Sequence, residues 1–434
     1  MTNDFLKLQT TNSKLRTFSE KSRLLLLISV VTSIKLIAVI FFIHSIKLFE
    51  INDIAINMLK TGKMSYVYNS GQIYYDYQFP VYPFFVYLIY LLFGVHYKLV
   101  IIFNLFLSFL TTYFFYYTLK YFFNYFNEVE KIKIYINIIL FLSVLTLLVH
   151  PAITYYTIKN IHPFALDLFL SVMSLYMMFK YIEKPNSRNL ILYSLILGIA
   201  VLDRNTLICT AFPFAILIFK NESLKRAFKI LIICFIIASL PTALWMLRNY
   251  NLTKTFSLNS SFYKNLFIGT IEESEGTAYL PNGQNYYSVF SKKEFSDYQK
   301  MTAQEQINFY KNKYSEKLRN KPLSVVKMFF VKLKNFWLFR KNVGAEYSNR
   351  IKIFIPLYKI RCLIILFFLL VAIIVLKNKT WLLLSYPVLL SLMQSVFYVE
   401  TRHRMLIEPF LISLAIIGGF YCYLKMKEII NNIL

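Results

Sequence analysis

Arg402, His403 and Arg404 stand in succession near the C-terminal end of this 434-residue chain, and Glu408-Pro409 follows at the head of an apolar run. Two guanidinium groups and an imidazole in one short connection suit an anion pocket. Arginine's planar fork matches phosphate oxygens and keeps its charge at any accessible pH. Far upstream, Glu50 and Asp53 open another helical pattern, with Tyr75, Asp76 and Tyr77 behind them. A carboxylate so placed can deprotonate an acceptor hydroxyl. A cationic cluster can stabilise a departing phosphate, where negative charge accumulates. Together they describe transfer of a group from a lipid phosphate to an alcohol or amine. Plainer readings compete with this one. Two acids favour the first turn of any helix, and charged side chains at a membrane edge can snorkel or pair with each other.

The elements that must position these residues are membrane helices. The composition is 57% hydrophobic with a mean hydropathy of +0.51. Stretches 24–33, 99–119, 134–149, 362–376 and 380–399 carry no charge. Crossing about 30 Å of hydrocarbon takes roughly 20 apolar residues, and a backbone at that depth must satisfy its own hydrogen bonds. No ten-residue alternation of the β-barrel kind is present. The pattern predicts an all-α polytopic membrane protein, one domain over 1–434, with about ten transmembrane helices. They fall at 24–48, 99–121, 133–149, 163–181, 188–203, 205–220, 227–247, 353–376, 380–398 and 405–424.

Basic residues mark the N-terminal segment and the connections at 180–188, 220–229 and 377–379. Placing all of these in the cytoplasm gives one consistent alternation. The polar, basic segment 1–23 then reads as the flank of an uncleaved anchor. Residues 79–95 are short and open with Pro80 and Pro83, so they are expected to lie in the outer interface rather than to cross. Outer loop 1 spans 49–98, with a second juxtamembrane helix at 50–59. A large outer loop spans 248–352, with a turn at Asn282-Gly283 and an amphipathic helix at 303–320.

The net charge of +26 follows from basic residues at segment ends, where they meet lipid headgroups. No helix or sheet is left to carry a nucleic-acid reading face. Cys209, Cys234, Cys362 and Cys422 lie in apolar segments without metal-like spacing and read as packing residues. There is no Gly-rich phosphate loop, GxSxG or HExxH, so soluble kinase, hydrolase and metalloprotease chemistries are not supported. The outer connections collect His150, Lys159, His162, Asp203, Arg204, Arg248, Asn249 and Glu400 beside the residues named first. Charge at the edge of hydrocarbon is costly, which makes such a group a candidate site.

These residues also carry a resemblance. The chain reads FEINDIAINMLKTGK and GQIYYDYQFPVYPFFVYLIYLLFG in loop 1, LDRNTL at 202–207, LWMLRNY at 244–250, NLFIGT at 265–270 and ETRHRMLIEPFLISLA at 400–415. In this order it resembles bacterial family 39 glycosyltransferases, relatives of the protein O-mannosyltransferases and lipid A aminoarabinose transferases, which have the GT-C membrane fold. Pro80, Tyr82, Pro83, Phe93, Gly94 and Asn104 fit the family's first loop and the helix after it.

The resemblance implies sugar transfer from a polyprenyl-phosphate sugar to a lipid, glycan or protein acceptor, on the outer face of a bacterial cell membrane. It implies Glu50 as catalytic base, with Asp53 next. It places Arg402, Arg404, Arg204 and Arg248 at the donor phosphate. His403, His162, Tyr82 and Glu408 are expected beside the acceptor or supporting the site. Two departures stand out: many members have their catalytic Asp where this chain has Lys47, and the second family acid is either replaced by His162 or Asp167 or its function is absent. Some members bind a divalent metal near the donor phosphate; here the residues assign it no ligand. A lipid-linked sugar transporter or flippase, and a glycan polymerase or ligase of similar fold, are the alternatives. Transporters commonly show repeats and broken helices near the midplane, and no repeat is visible here.

Overall fold

A computed structural model describes residues 2–67, 71–125, 134–338 and 355–433. It is overwhelmingly helical. Among the described residues six helices are long and apolar enough to cross a membrane: Glu20–Phe42, Tyr97–Tyr125, Phe164–Glu183, Leu224–Thr253, Pro356–Leu376 and Glu408–Asn432. A seventh span arises if Ile136–Leu148 and Pro151–Lys159, bent by 45°, act as one. Each of the ten expected segments contains a helix, but the first ends at Phe42 rather than 48, the ninth at Val396, and not all are full spans. Ser187–Asp203 and Thr380–Val396 have 17 residues each, about 25 Å at 1.5 Å per residue.

In chain order the helices are α1 (Thr2–Ile37), α2 (Glu50–Thr61), α3 (Val81–Phe93), α4 (Tyr97–Tyr125), α5 (Ile136–Leu148), α6 (Pro151–Lys159), α7 (Phe164–Glu183) and α8 (Ser187–Asp203). Then come α9 (Ala211–Asn221), α10 (Leu224–Thr253), α11 (Phe262–Ile268), α12 (Lys292–Lys300), α13 (Ala303–Asn320), α14 (Pro322–Leu338), α15 (Ile355–Leu376), α16 (Thr380–Val396), α17 (Thr401–Met405) and α18 (Glu408–Ile433). One short antiparallel hairpin, β1 (Tyr66–Val67) with β2 (Ile73–Tyr74), lies in loop 1.

The main packing partners are α15 with α18, α4 with α7, and α8 with both α7 and α10. Small residues permit the closest approaches. A Cβ on Gly198 of α8 would sit 2.5 Å from the Ala238 carbonyl oxygen of α10, and one on Gly418 of α18 would collide with the Phe368 carbonyl of α15. In lipid, where apolar side chains gain nothing by leaving water, such backbone proximity is what makes helices associate.

Both helices expected within loop 1 are present as α2 and α3. Gly62, at φ +67, ends α2 in the left-handed cap that lacks a Cβ penalty. The expected helix at 303–320 is α13. Its Thr302–Glu305 capping box satisfies the first orphan N–H groups of the helix. One boundary moves: α10 runs on to Thr253, so Arg248 and Asn249 are helical rather than the opening of a loop. The final part of the large loop, 339–352, lies outside the described residues.

The large loop is a small helical layer with its own aromatic core of Phe267, Ile268, Ile271, Tyr286, Tyr298 and Tyr310. It interlocks with loop 1. The Tyr74 hydroxyl donates to Gln306, and Ser260 N–H donates to the Asp76 carbonyl at 2.9 Å. Loop 1 is in turn tied to the bundle: Lys47 N–H donates to the Lys159 carbonyl at 2.8 Å, and Ile161 N–H to the Lys47 carbonyl at 3.0 Å. This bridge sets the start of α2 beside His162.

Candidate functional site

A cavity of about 420 Å³ opens where loop 1, the inter-helix connections and the helical layer meet. That size falls in the range of small-ligand sites. Glu50, His162, Arg204, Arg402 and His403 all line it.

Glu50 is the first residue of α2, where a carboxylate complements the helix dipole. Gln78 Nε2 donates to its Oε1 at 2.7 Å, fixing the carboxylate from the far end of loop 1. Asp53, one turn on, is exposed and is not part of the cavity lining.

The facing wall is cationic. Arg204, just past the end of α8, donates through Nη1 to Asp167 Oδ2 at 3.1 Å, through Nε to Thr206 at 3.1 Å and through Nη2 to Gln394 at 3.4 Å. Arg402 Nη2 donates to the Tyr398 hydroxyl at 3.4 Å. The two imidazoles are held alike. Phe164 N–H donates to His162 Nδ1 and Glu400 N–H donates to His403 Nδ1, each at 3.2 Å. An Nδ1 that accepts leaves the proton on Nε2 of a neutral ring.

Burial lowers both histidines well below 6.5. Arg402 and Arg204 lower His162 further, and the same two arginines with His162 lower His403. The site therefore presents two permanent cations flanked by two neutral N–H donors, the kind of cradle that suits an anion. Asp167 and Asp203 also line it, as two buried carboxyls in contact with each other.

Besides Asp53, four residues expected at the site lie elsewhere. Arg248 is spent on structure: its guanidinium donates to the Tyr75 carbonyl at 2.5 Å and the Met64 carbonyl at 3.0 Å, and stacks 4.6 Å from the Trp245 ring. Tyr82 is fully buried and donates to Asn104 Oδ1 at 3.0 Å, within the framework that joins α3 to α4.

Arg404 is 2% exposed and donates to the Trp337 and Phe336 carbonyls. Glu408, 0% exposed, accepts from Tyr358 at 2.9 Å and pairs with Arg361 at 2.8 Å, His150 at 3.7 Å and Arg404 at 3.9 Å. These form a closed cluster between helices, none of whose members lines the cavity. The reason is helical periodicity. Arg404 follows Arg402 by two residues, about 200° around the helix axis, so the two point to opposite sides of α17.

Lys264, Gln78 and Gln394 line the cavity without any signal in the sequence. Lys264 sits in a lysine-rich loop, and single glutamines match no motif. Among the described residues no three His, Cys, Asp or Glu side chains gather as metal ligands.

No protein-family model matches the sequence, and no curated protein matches it. Among solved structures, the chain is similar to the crystal structure of ArnT from Cupriavidus metallidurans in the apo state. The likeness covers 91% of this chain and 76% of that one, with 12% identity and a TM-score of 0.40.

Proposed function

We propose that this protein is a bacterial membrane glycosyltransferase of GT-C type, moving a sugar from a polyprenyl-phosphate donor to a hydroxyl or amine acceptor on the outer face of the cell membrane. One observation carries the proposal: a single cavity at the end of the helix bundle joins the Glu50 carboxylate to Arg204, Arg402 and two imidazole N–H donors. The family resemblance of loop 1 and of the 400–415 segment supports the same reading.

Glu50 accepts the acceptor's proton as the new sugar bond forms. The sugar–phosphate bond breaks, and its electron pair stays on the phosphate. Arg204 and Arg402, with the Nε2–H groups of His162 and His403, stabilise the charge gathered there. Gln78 keeps the base oriented. Asp167 holds Arg204 in place, leaving part of its fork for the ligand. Lipid-facing helices beside the cavity accommodate the prenyl chain. Glu50 is preferred over Asp53 because Asp53 lies outside the cavity.

Mass spectrometry of cell-envelope glycans and lipids, with the gene deleted and restored, tests this. Deletion should remove one glycosylated species, which the wild type restores and Glu50→Gln does not. An unchanged envelope profile on deletion would remove the transferase reading. Full restoration by Glu50→Gln would take the base away from Glu50.

A further inference from the structure

Trp245, Arg248 and Asn249 belong to the LWMLRNY run near the end of α10, yet none of them lines the cavity. Arg248 divides its fork between the two arms of loop 1. Its Nη2 donates to the Met64 carbonyl at 3.0 Å, just before β1, and its Nη1 to the Tyr75 carbonyl at 2.5 Å, just after β2. One guanidinium therefore closes the base of the hairpin. Its own place is set from α10: the Trp245 ring stacks 4.6 Å away, and Nη1 also donates to Asn249 Oδ1 at 3.0 Å. Trp245 Nε1 and Asn249 Nδ2 donate in turn to the Leu258 and Ser257 carbonyls, each at 2.9 Å.

The next residues of loop 1 are held one by one. The Asp76 carbonyl accepts from Ser260 N–H at 2.9 Å, and its carboxylate accepts from Ser257 Oγ at 2.5 Å. The Tyr77 hydroxyl accepts from Lys264 Nζ at 2.9 Å. Gln78 donates to Glu50 Oε1 at 2.7 Å. With the Tyr74 hydroxyl on Gln306, five consecutive residues each have a partner in another segment. Three residues separate Tyr75 from Gln78, at most about 10 Å of chain, so little slack lies between the guanidinium and the carboxylate.

We propose that Arg248 is a positioning residue for Glu50: by clamping the Met64 and Tyr75 carbonyls it fixes the strap 75–78, whose last residue holds the Glu50 carboxylate. The inference rests on the role given to Glu50 above. Arg248 makes and breaks no bond in the transfer. What it supplies is a planar fork that reaches two carbonyls at once, which an ammonium at the same place lacks.

The full-length protein in detergent reports the clamp without a transfer assay. Hydrogen exchange of peptides covering 62–66 and 74–79 should speed up several-fold in Arg248→Lys and further in Arg248→Met, as local opening does when a tertiary tie is lost. Peptides from α4 and α18 should exchange as in the wild type. Unchanged exchange in the loop 1 peptides, or a rise spread over the whole protein in the Lys variant, would overturn the clamp.

Transfer assays use the donor and acceptor that the envelope comparison identifies. There Arg248→Lys should lower kcat about 10-fold and Arg248→Met up to about 10²-fold, the scale of a small misplacement at the reacting centre, with donor KM close to wild type. Added to Gln78→Ala, Arg248→Lys should lower kcat little further, because both act on Glu50 through one strap and coupled residues depart from additivity. Losses in kcat that add, or a change in donor KM alone, would overturn the positioning role. If the loop 1 peptides loosen as expected but Glu50→Gln transfers at the wild-type rate, the base assignment falls and the positioning role with it, while the clamp on loop 1 stands.

Discussion

Arg402 lines the cavity beside His403, whereas Arg404, two residues on, is 2% exposed and closes onto the Phe336 and Trp337 carbonyls and Glu408. Both are arginines in one five-residue helix. The cavity cluster has charges that face an open space. The inner cluster of His150, Arg361, Tyr358, Arg404 and Glu408 is held by ion pairs and the Tyr358 hydrogen bond to Glu408, with Arg404 Nε and Nη2 buried and without a hydrogen-bond acceptor among the described residues. A buried charge pair that is already matched contributes rigidity, and breaking it leaves an uncompensated charge. A cation facing a cavity contributes affinity for whatever enters. Residue type therefore does not separate the two roles; access does.

The largest expected effect lies in the cavity. Glu50→Gln removes the base at nearly constant shape and should cost about 10²–10⁴-fold in transfer rate, with donor binding and melting temperature unchanged. A rate within a factor of two of wild type, together with abolition by Asp53→Asn, would move the base to the exposed residue.

Next comes the closed cluster. Glu408→Ala strands Arg361, Arg404 and His150 against one another, and loss of one partner of a buried pair typically costs about 3–5 kcal/mol. The measure is unfolding in detergent. A melting temperature equal to wild type would show that the cluster is not structural.

The paired arginine variants sharpen the contrast. Arg402→Ala should lower kcat/KM by about 10²–10³-fold, the usual cost of one transition-state donor, while stability holds. Arg402→Lys should recover only part of this, because an ammonium lacks the bidentate fork. Arg404→Ala should do the opposite, lowering the melting temperature far more than donor use. The comparison collapses if Arg404→Ala folds normally and loses donor turnover.

The smallest effect is a pH dependence. His162 and His403 are held well below 6.5 in the folded protein, near which an exposed histidine titrates. The unfolded chain therefore takes up protons that the folded chain refuses. Stability is full above about 6.5 and falls as the pH drops below it. His403→Gln should flatten the decline in melting temperature between pH 7 and 5. An unaltered slope would mean that other groups control it.

Much of the fold was legible because membrane helices announce themselves. Uncharged runs in 99–119 and 362–376 have few alternatives in a bilayer, and the capping pattern Thr302–Glu305 marks the start of α13 without tertiary help. Span length was less legible. The helix expected at 133–149 is α5, and beyond it the connection forms a further helix, α6, opened by Pro151 and capped by His150, which accepts from Ile153 N–H at 3.3 Å. Of the candidate site, Glu50, Arg204, Arg402, His162 and His403 could be named from their types and outer connections. Lys264 and Gln78 could not, since their importance is a distance to Tyr77 and Glu50.

The sequence by itself determined that helices cross a membrane, which connections collect at one end, and which residue types there can hold an anion or take a proton. Those properties are local, set by hydropathy, by propensity and by the chemistry of single side chains. Only the tertiary structure decided that Arg402 meets the cavity while Arg404 and Glu408 are sealed between α14, α15 and α18, that Arg248 fastens loop 1, and that Lys264 and Glu50 line one cavity. These depend on rotation about a helix axis and on contacts between segments far apart in the chain, and side-chain type carries no information about either.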